Sequence, residues 1–129
     1  MSTVAIPPTI PSDANLTSVQ ANKAKVTKGT VTAATFVAAT VNASAGAITF
    51  TATSLATASS ATAVITNSHC SATSALVVSI ASYGGTIGTD GSPSVFATPA
   101  EGSFTLTLVN DGVTAAALDG TLVVNFMIV

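Results

Sequence analysis

The sequence predicts an all-β fold, an antiparallel β-sandwich or jelly roll preceded by an extended N-terminal arm and a short stem-like strand. Charged residues make up 6% of the chain and apolar residues 48%, a balance that disordered chains do not have. Thr, Ser and Asn supply the remaining polarity, and Thr fits a pleated strand better than a helix. Apolar and polar residues also alternate in short runs between Gly, Asn and Asp turn signals, which is the pattern of strands.

Residues 1–29 are predicted to form the extended arm. Prolines at positions 7, 8 and 11 block a helix and favour an extended backbone. The apolar residues of the arm are too sparse for a core but suit contact with a neighbouring surface; they are Val4, Ile6, Ile10, Leu16 and Val19. A flexible terminus is the alternative that the composition leaves open.

Residues 30–47 are predicted to form a short stem or an edge strand. They contain two near-copies of a four-residue unit, TVTA at 30–33 and TVNA at 40–43, and no charge. Small residues with this alternation cannot bury a surface as a lone strand. They would pack if several identical chains wound round one axis, or if the segment joined the edge of a sheet. One irregular strand is the remaining alternative.

Residues 48–129 are predicted to form the sandwich. Alternation places strands at 48–53, 61–66, 75–81, 95–98, 104–109 and 121–129. Pro99 is expected to interrupt the fourth of them. The stretch 83–93 is a Gly-rich loop, and Asn-Asp-Gly at 110–112 and Asp-Gly at 119–120 are turn signals.

The last strand is apolar on both faces. Leu122, Val124, Phe126 and Ile128 form one face, and the opposite face carries valine and methionine with Asn125 as its clear polar residue besides Thr121. An antiparallel sheet with one wet face alternates apolar with polar residues, so something must cover the second face. In a domain this small we expect another subunit to do so, which predicts an oligomer interface at Val123, Met127 and Val129.

Charge and hydropathy argue against several partners. All three cations, Lys23, Lys25 and Lys28, lie within six residues, and the net charge is −2. Phosphate backbones are bound by clustered Lys and Arg, so no nucleic acid is expected as a partner. No run of 18 apolar residues occurs, so no membrane span is expected. Residues 1–12 lack the basic region with which a signal peptide begins, so we expect no export signal there and synthesis in the cytoplasm.

No catalytic residue, cofactor or metal ligand is predicted. His69 and Cys70 are neighbours, and in an extended backbone their side chains would point to opposite faces. Three copies of His69 on a threefold axis would be needed for a metal site, whereas a lone His is usually structural, and a lone Cys is more often a small buried residue than a reactive thiol. Glu101 is the single Glu, no G-x-S-x-G elbow occurs, and the later Asp residues stand in turns. A carbohydrate-active or peptidase domain is therefore a remote alternative.

One region carries a family resemblance. Segment 63–79 reads AVITNSHCSATSALVVS, and it is followed by a Gly-rich loop, GSFTLT at 102–107 and an aliphatic strand at 120–129. This succession resembles structural proteins of tailed-bacteriophage virions, namely capsid decoration (cement) proteins and trimeric jelly-roll fibre-tip domains. The stretch TVTAATFVAATVNA at 30–43 is similar to the short interwound stems that precede such domains.

The resemblance implies a non-enzymatic virion protein that is made in the host cytoplasm and forms a homotrimer on the capsid surface. Its N-terminal arm would lie along the major capsid protein or an adjoining trimer and stabilise the shell. The capsid-contacting residues of the arm would be Val4, Ile6, Ile10, Leu16 and Val19. A fibre needs a long shaft, and the stem-like segment here is short, which favours head decoration. The alternative is a short head or tail fibre tip that binds host surface glycans through Tyr83 and the loop 84–92.

Overall fold

The structure, a computed structural model, describes residues 28–112 and 116–129. The predicted arm residues Val4, Ile6, Ile10, Leu16 and Val19 lie outside this part of the chain. The described residues form eight strands and no helix: β1 (Lys28–Ala33), β2 (Ala39–Thr40), β3 (Ala45–Leu55), β4 (Ser60–Thr66), β5 (Leu76–Tyr83), β6 (Pro93–Ala100), β7 (Ser103–Asn110) and β8 (Leu118–Ile128).

The strands form two sheets of four. Sheet I has the order β1-β3-β8-β5, and sheet II has the order β2-β4-β7-β6. The prediction of an all-β fold is confirmed, and the arrangement is that of a β-sandwich. The sheets are mixed, however, because β1 pairs parallel with β3 and β2 pairs parallel with β4, while every other pairing is antiparallel.

The parallel pairs come from residues 30–47. This segment places β1 at the edge of sheet I, crosses to sheet II as β2 and returns to sheet I as β3. The backbones of β1 and β3 approach closely at Gly29 and Gly46, where a Cβ on Gly46 would lie 1.8 Å from the carbonyl oxygen of Gly29. A residue without a side chain is required there. The sequence predicted a wholly antiparallel sandwich, and the structure differs from it in these two parallel edge strands.

The core lies between the sheets and uses the inward side of each alternation. In β3, Ile48 and Phe50 are fully buried while Thr51 is exposed. The ring of Phe104 on β7 lies 5.5 Å from the ring of Phe126 on β8, which joins the two sheets. Burial of each large apolar side chain contributes about 1.5–3 kcal/mol. Other fully buried aliphatic side chains are Ile65, Leu106, Leu108, Leu118, Leu122 and Val124.

The Asp-Gly pair at 119–120 is not a turn, and that prediction is wrong. Both residues lie inside β8, where Asp119 pairs with Ser54 and Gly120 with Thr53. The register between β3 and β8 shifts between Phe50 and Thr53, and Gly120 has a φ of +108°. Glycine adopts this backbone conformation without a Cβ penalty, so β8 continues through Gly120 beside a β-bulge whose extra residue lies on β3, between Phe50 and Thr53.

Pro99 does not interrupt its strand. β6 runs from Pro93 to Ala100 and contains both prolines. It is the edge strand of sheet II, and an edge tolerates proline wherever the missing N–H would have faced away from the neighbouring strand.

Each end of the sandwich is tied by a buried asparagine. At one end Asn67 donates its Nδ2 to the carbonyl oxygen of Ala43 at 2.7 Å, and its Oδ1 accepts the N–H of His69 at 2.9 Å. At the other end Asn110 makes four such bonds with the surrounding loops. Among the described residues, no buried side-chain nitrogen or oxygen lacks a hydrogen-bond partner.

Candidate interaction surface

The outer face of sheet I carries large apolar side chains from two neighbouring strands. Met127 on β8 is 48% exposed, and its cross-strand partner on β5, Val77, is 58% exposed. Val123 lies on the same face and is half-buried, with exposed Asn125 between it and Met127. Neither β3 nor β5 contains a charged residue. The centre of this face is therefore apolar and uncharged.

A shallow groove of about 620 Å³ crosses this face. Its floor is made by small residues of β3, Ala45, Gly46 and Ala47, which leave a depression between larger neighbours. Lys28 on β1 lines one side, and Met127 on β8 lies on the other. Apolar concave surfaces of this size suit contact with another molecule better than contact with water.

The strand alternation places two of the predicted interface residues together. Val123 and Met127 lie on the outer face of β8, while Leu122 and Val124 face the core. Val129 follows β8 directly and is 80% exposed, yet its backbone N–H donates to the carbonyl oxygen of Ala75 at 2.9 Å. The C-terminal residue is therefore held beside β5.

Sequence reasoning did not find Val77 or the small residues of the groove. Val77 belongs to this face only because β5 pairs with β8 in the register that sets it opposite Met127. Val77 stands in a nearly continuous apolar run, and the strand that pairs with this run could not be read from it. The groove depends on the close pairing of Gly46 with Gly29, which the sequence does not show.

The outer face of sheet II has a different character. It is rich in hydroxyl groups and carries two large exposed apolar side chains, Val64 on β4 (48% exposed) and Phe96 on β6 (54% exposed). Phe96 lies opposite Thr107 on β7. The threonines and serines on the outer positions of these strands are Ser60, Thr62, Thr66, Ser94, Thr98, Ser103, Thr105 and Thr107.

Tyr83, the residue on which the glycan alternative depends, is used inside the fold. Its hydroxyl donates to the carbonyl oxygen of Asp90 at 2.5 Å and accepts the N–H of Asp119 at 2.8 Å. The carboxylate of Asp90 in turn accepts the N–H of Thr86 at 2.8 Å. These bonds hold the loop 84–92 against the start of β8, and the half-buried ring is a structural clamp.

His69 and Cys70 lie in a turn and not on an extended strand, so the premise of their opposite orientation was wrong. The N–H of Cys70 donates to the carbonyl oxygen of Asn67 at 3.1 Å, which closes the turn. Their environments nevertheless differ, because His69 is exposed and Cys70 is buried with a free thiol.

The acidic side chains are dispersed. Asp111 accepts the hydroxyl of Ser94 at 2.7 Å, and Glu101 is exposed in the turn between β6 and β7. Within the described ranges, no group of three or more His, Cys, Asp or Glu side chains is placed to hold a metal ion.

Comparison of the chain with protein-family models, curated proteins and solved structures gives no match. Residues 28–112 and 116–129 contain no helix with the length and hydropathy that a membrane-spanning helix needs.

Proposed function

We propose that this protein is a structural component of a tailed-phage virion, a capsid decoration (cement) protein that trimerises on the head shell and stabilises it through its N-terminal arm. The observation that carries the proposal is the uncharged patch at the centre of the outer face of sheet I, where the large apolar side chains of Met127 and Val77 are exposed. A rigid sandwich with such a face is built for contact with other protein surfaces.

The strand order supports a jelly-roll type of sandwich. β3, β8 and β5 are neighbours in sheet I, and β4, β7 and β6 are neighbours in the same succession in sheet II. The chain changes sheet between β3 and β4, between β4 and β5, between β5 and β6 and between β7 and β8. Jelly rolls wind a folded chain across two sheets in this manner, and the usual form has eight strands.

We propose Val123, Met127 and Val129 as the trimer contact. These residues lie on or next to one face of β8, and Val77 extends the same apolar surface onto β5. Specific interfaces bury about 1,200–2,000 Å² in total, so the contact must extend beyond three side chains and include the groove floor. Burial of this face would contribute about 25 cal/mol per Å² of apolar area.

The arm is proposed to contact the major capsid protein or an adjoining trimer. Lys28, the first described residue, lines the groove on the outer face of sheet I. Lys28 therefore lies on the face of sheet I that carries the proposed trimer contact. Arms that extend from such a base add binding energy at a second site and join neighbouring capsid subunits. The protein would act on the capsid surface after synthesis in the host cytoplasm.

Binding to empty shells tests this function. We expect the purified chain to coat empty shells assembled from the major capsid protein of the same phage, to saturation and in multiples of three per site. Removal of residues 1–27 should weaken binding to the shells at least tenfold, because the arm contacts are lost. A full-length variant with Val4, Ile6 and Ile10 replaced by Ser should lose affinity to the same extent. Titration of shells followed by sedimentation measures the affinity of each variant. Equal coating by all three proteins, or none by the unmodified chain, contradicts the proposal.

A fibre tip that binds host surface glycans is the second candidate. The exposed ring of Phe96, surrounded by hydroxyl side chains of sheet II, is the type of aromatic platform that sugars stack on. Glycan-array binding that is lost in Phe96→Ala and kept in Tyr83→Phe would favour it, since the Tyr83 hydroxyl is already bonded within the fold. An array without binding excludes this candidate for the sugars tested.

A further inference from the structure

β5 lies at the edge of sheet I, with β8 as its one neighbour in the sheet. The backbones of Ala75, just before β5, and Val129 exchange two hydrogen bonds of 3.1 and 2.9 Å. Hydrogen-bonded pairs alternate along an antiparallel ladder, so Val77 and Ser79 also direct their backbone groups toward β8. Leu76 and Val78, which alternate with these residues, direct their backbone N–H and C=O groups away from β8, toward the free edge.

The free edge is formed by Leu76, Val78 and Ile80. Their side chains face the core yet are only half-buried, whereas Val124 on neighbouring β8 is fully buried. Solvent therefore reaches this side of the sandwich. Unpaired N–H and C=O groups on an uncharged aliphatic strand are a template for pairing with another strand. Regular pairing can extend as far as Ile80 and no further, because the register of β5 shifts between Ile80 and Ser82.

β6, the corresponding edge of sheet II, is blocked. The N–H of Asp111 donates to the carbonyl oxygen of Ser92 at 2.9 Å, which sets the alternation along β6 and β7. Pro93 and Pro99 then occupy positions whose backbone faces the free edge, and proline has no N–H to offer. One edge of the sandwich is thus protected against pairing and the other is not.

We propose that the free edge of β5 pairs antiparallel with the same edge of a second copy, about a twofold axis at Val78. Leu76 then lies opposite Ile80 of the partner subunit, Val78 lies opposite its own copy, and each pair exchanges two hydrogen bonds. Aliphatic side chains meet on the core side. No charged residue of β5 opposes its own copy, which an isologous contact requires. Two sheets I become one continuous sheet.

The size of the contact determines where it forms. Five paired residues span about 17 Å, and a single ladder of this length buries much less than the roughly 1,200 Å² of a stable interface. The pairing therefore needs a high local concentration of copies. Trimers packed side by side on a shell would supply this concentration, and in this respect the pairing rests on the proposed function. The pairing itself depends on β5 alone.

Amide hydrogen exchange of the full-length protein tests the pairing directly. We expect the amides of Leu76 and Val78 to exchange at least tenfold more slowly at millimolar than at micromolar concentration. The amides of Val95 and Ala97 on the free edge of β6 serve as internal controls and should stay fast at both concentrations. Equal concentration dependence at the two edges, or none at either, overturns the proposal.

Two matched variants provide a second measurement. Val78→Pro and Val95→Pro each remove an N–H that faces a free edge, from a half-buried valine that faces the core. Only Val78→Pro should abolish the association that appears at high concentration. If both variants unfold, the exchange experiment on the unmodified protein still decides. A monomeric unmodified protein at micromolar concentration whose Val78 amide is still protected at millimolar concentration would contradict the trimer proposal alone. A trimer without that concentration-dependent protection would contradict the β5 pairing alone.

Discussion

Replacement of Asn110 by Ala is expected to lower the free energy of unfolding by about 3–5 kcal/mol. Asn110 is fully buried, and its Nδ2 donates at 3.0 Å to the carbonyl oxygens of Leu55 and Ala116. Its Oδ1 accepts the N–H groups of Ser92 and Gly112, also at 3.0 Å. Alanine leaves two donors and two acceptors without partners, and each costs about 1–3 kcal/mol unless water replaces it.

Urea unfolding of Asn110→Ala against a matched control measures this effect. Asn42→Ala is the control, because Asn42 is exposed and accepts a single hydrogen bond of 3.0 Å from the N–H of Ser68. We expect the control to cost less than about 1 kcal/mol. Asn110→Asp should fall near the alanine variant, since it loses both donors and brings a carboxylate toward two carbonyl oxygens. Equal stability of Asn110→Ala and Asn42→Ala would show that the buried bonds contribute little.

Met127→Asp is expected to weaken self-association at least about 100-fold, which corresponds to about 2.8 kcal/mol. The side chain projects from the outer face of sheet I, so the carboxylate does not enter the core of the single chain. In an assembly that covers this face, the charge would be buried without a cation, which costs several kcal/mol. Sedimentation velocity across a concentration series measures the change.

Val64→Asp is the matched control for this substitution. Val64 has the same 48% exposure as Met127 and also projects outward from a strand, but on the outer face of sheet II. Association should remain unchanged in Val64→Asp. An equal loss in both variants would assign the effect to net charge, and a loss in Val64→Asp alone would move the interface to sheet II.

The sequence was sufficient where local alternation decides the structure. The inward and outward positions of β8 follow from its period of two, and the structure places Leu122 and Phe126 in the core as that period requires. The turn predicted at Asp-Gly 119–120 is absent because a glycine with positive φ suits a strand beside a bulge as well as a turn. Which of the two forms depends on the register against β3, which is a property of paired strands and not of the local sequence.

The role of Asn110 was visible only in part. Its place before Asp-Gly indicated a turn, and the bond from Gly112 to its Oδ1 fits that expectation. Its bond to Leu55 joins residues 55 positions apart, and that meeting follows from the arrangement of the two sheets. The same holds for Val77 beside Met127, because strand pairing across the chain brings them together.

Sedimentation equilibrium of the unmodified chain at low micromolar concentration tests the central claim of self-association most directly. The proposal predicts a species of three times the chain mass of 12.5 kDa, stable to dilution and lost in Met127→Asp. At this concentration the β5 contact is too small to contribute, so the mass reports the outer face of sheet I. A mass of 12.5 kDa at every concentration would contradict the claim.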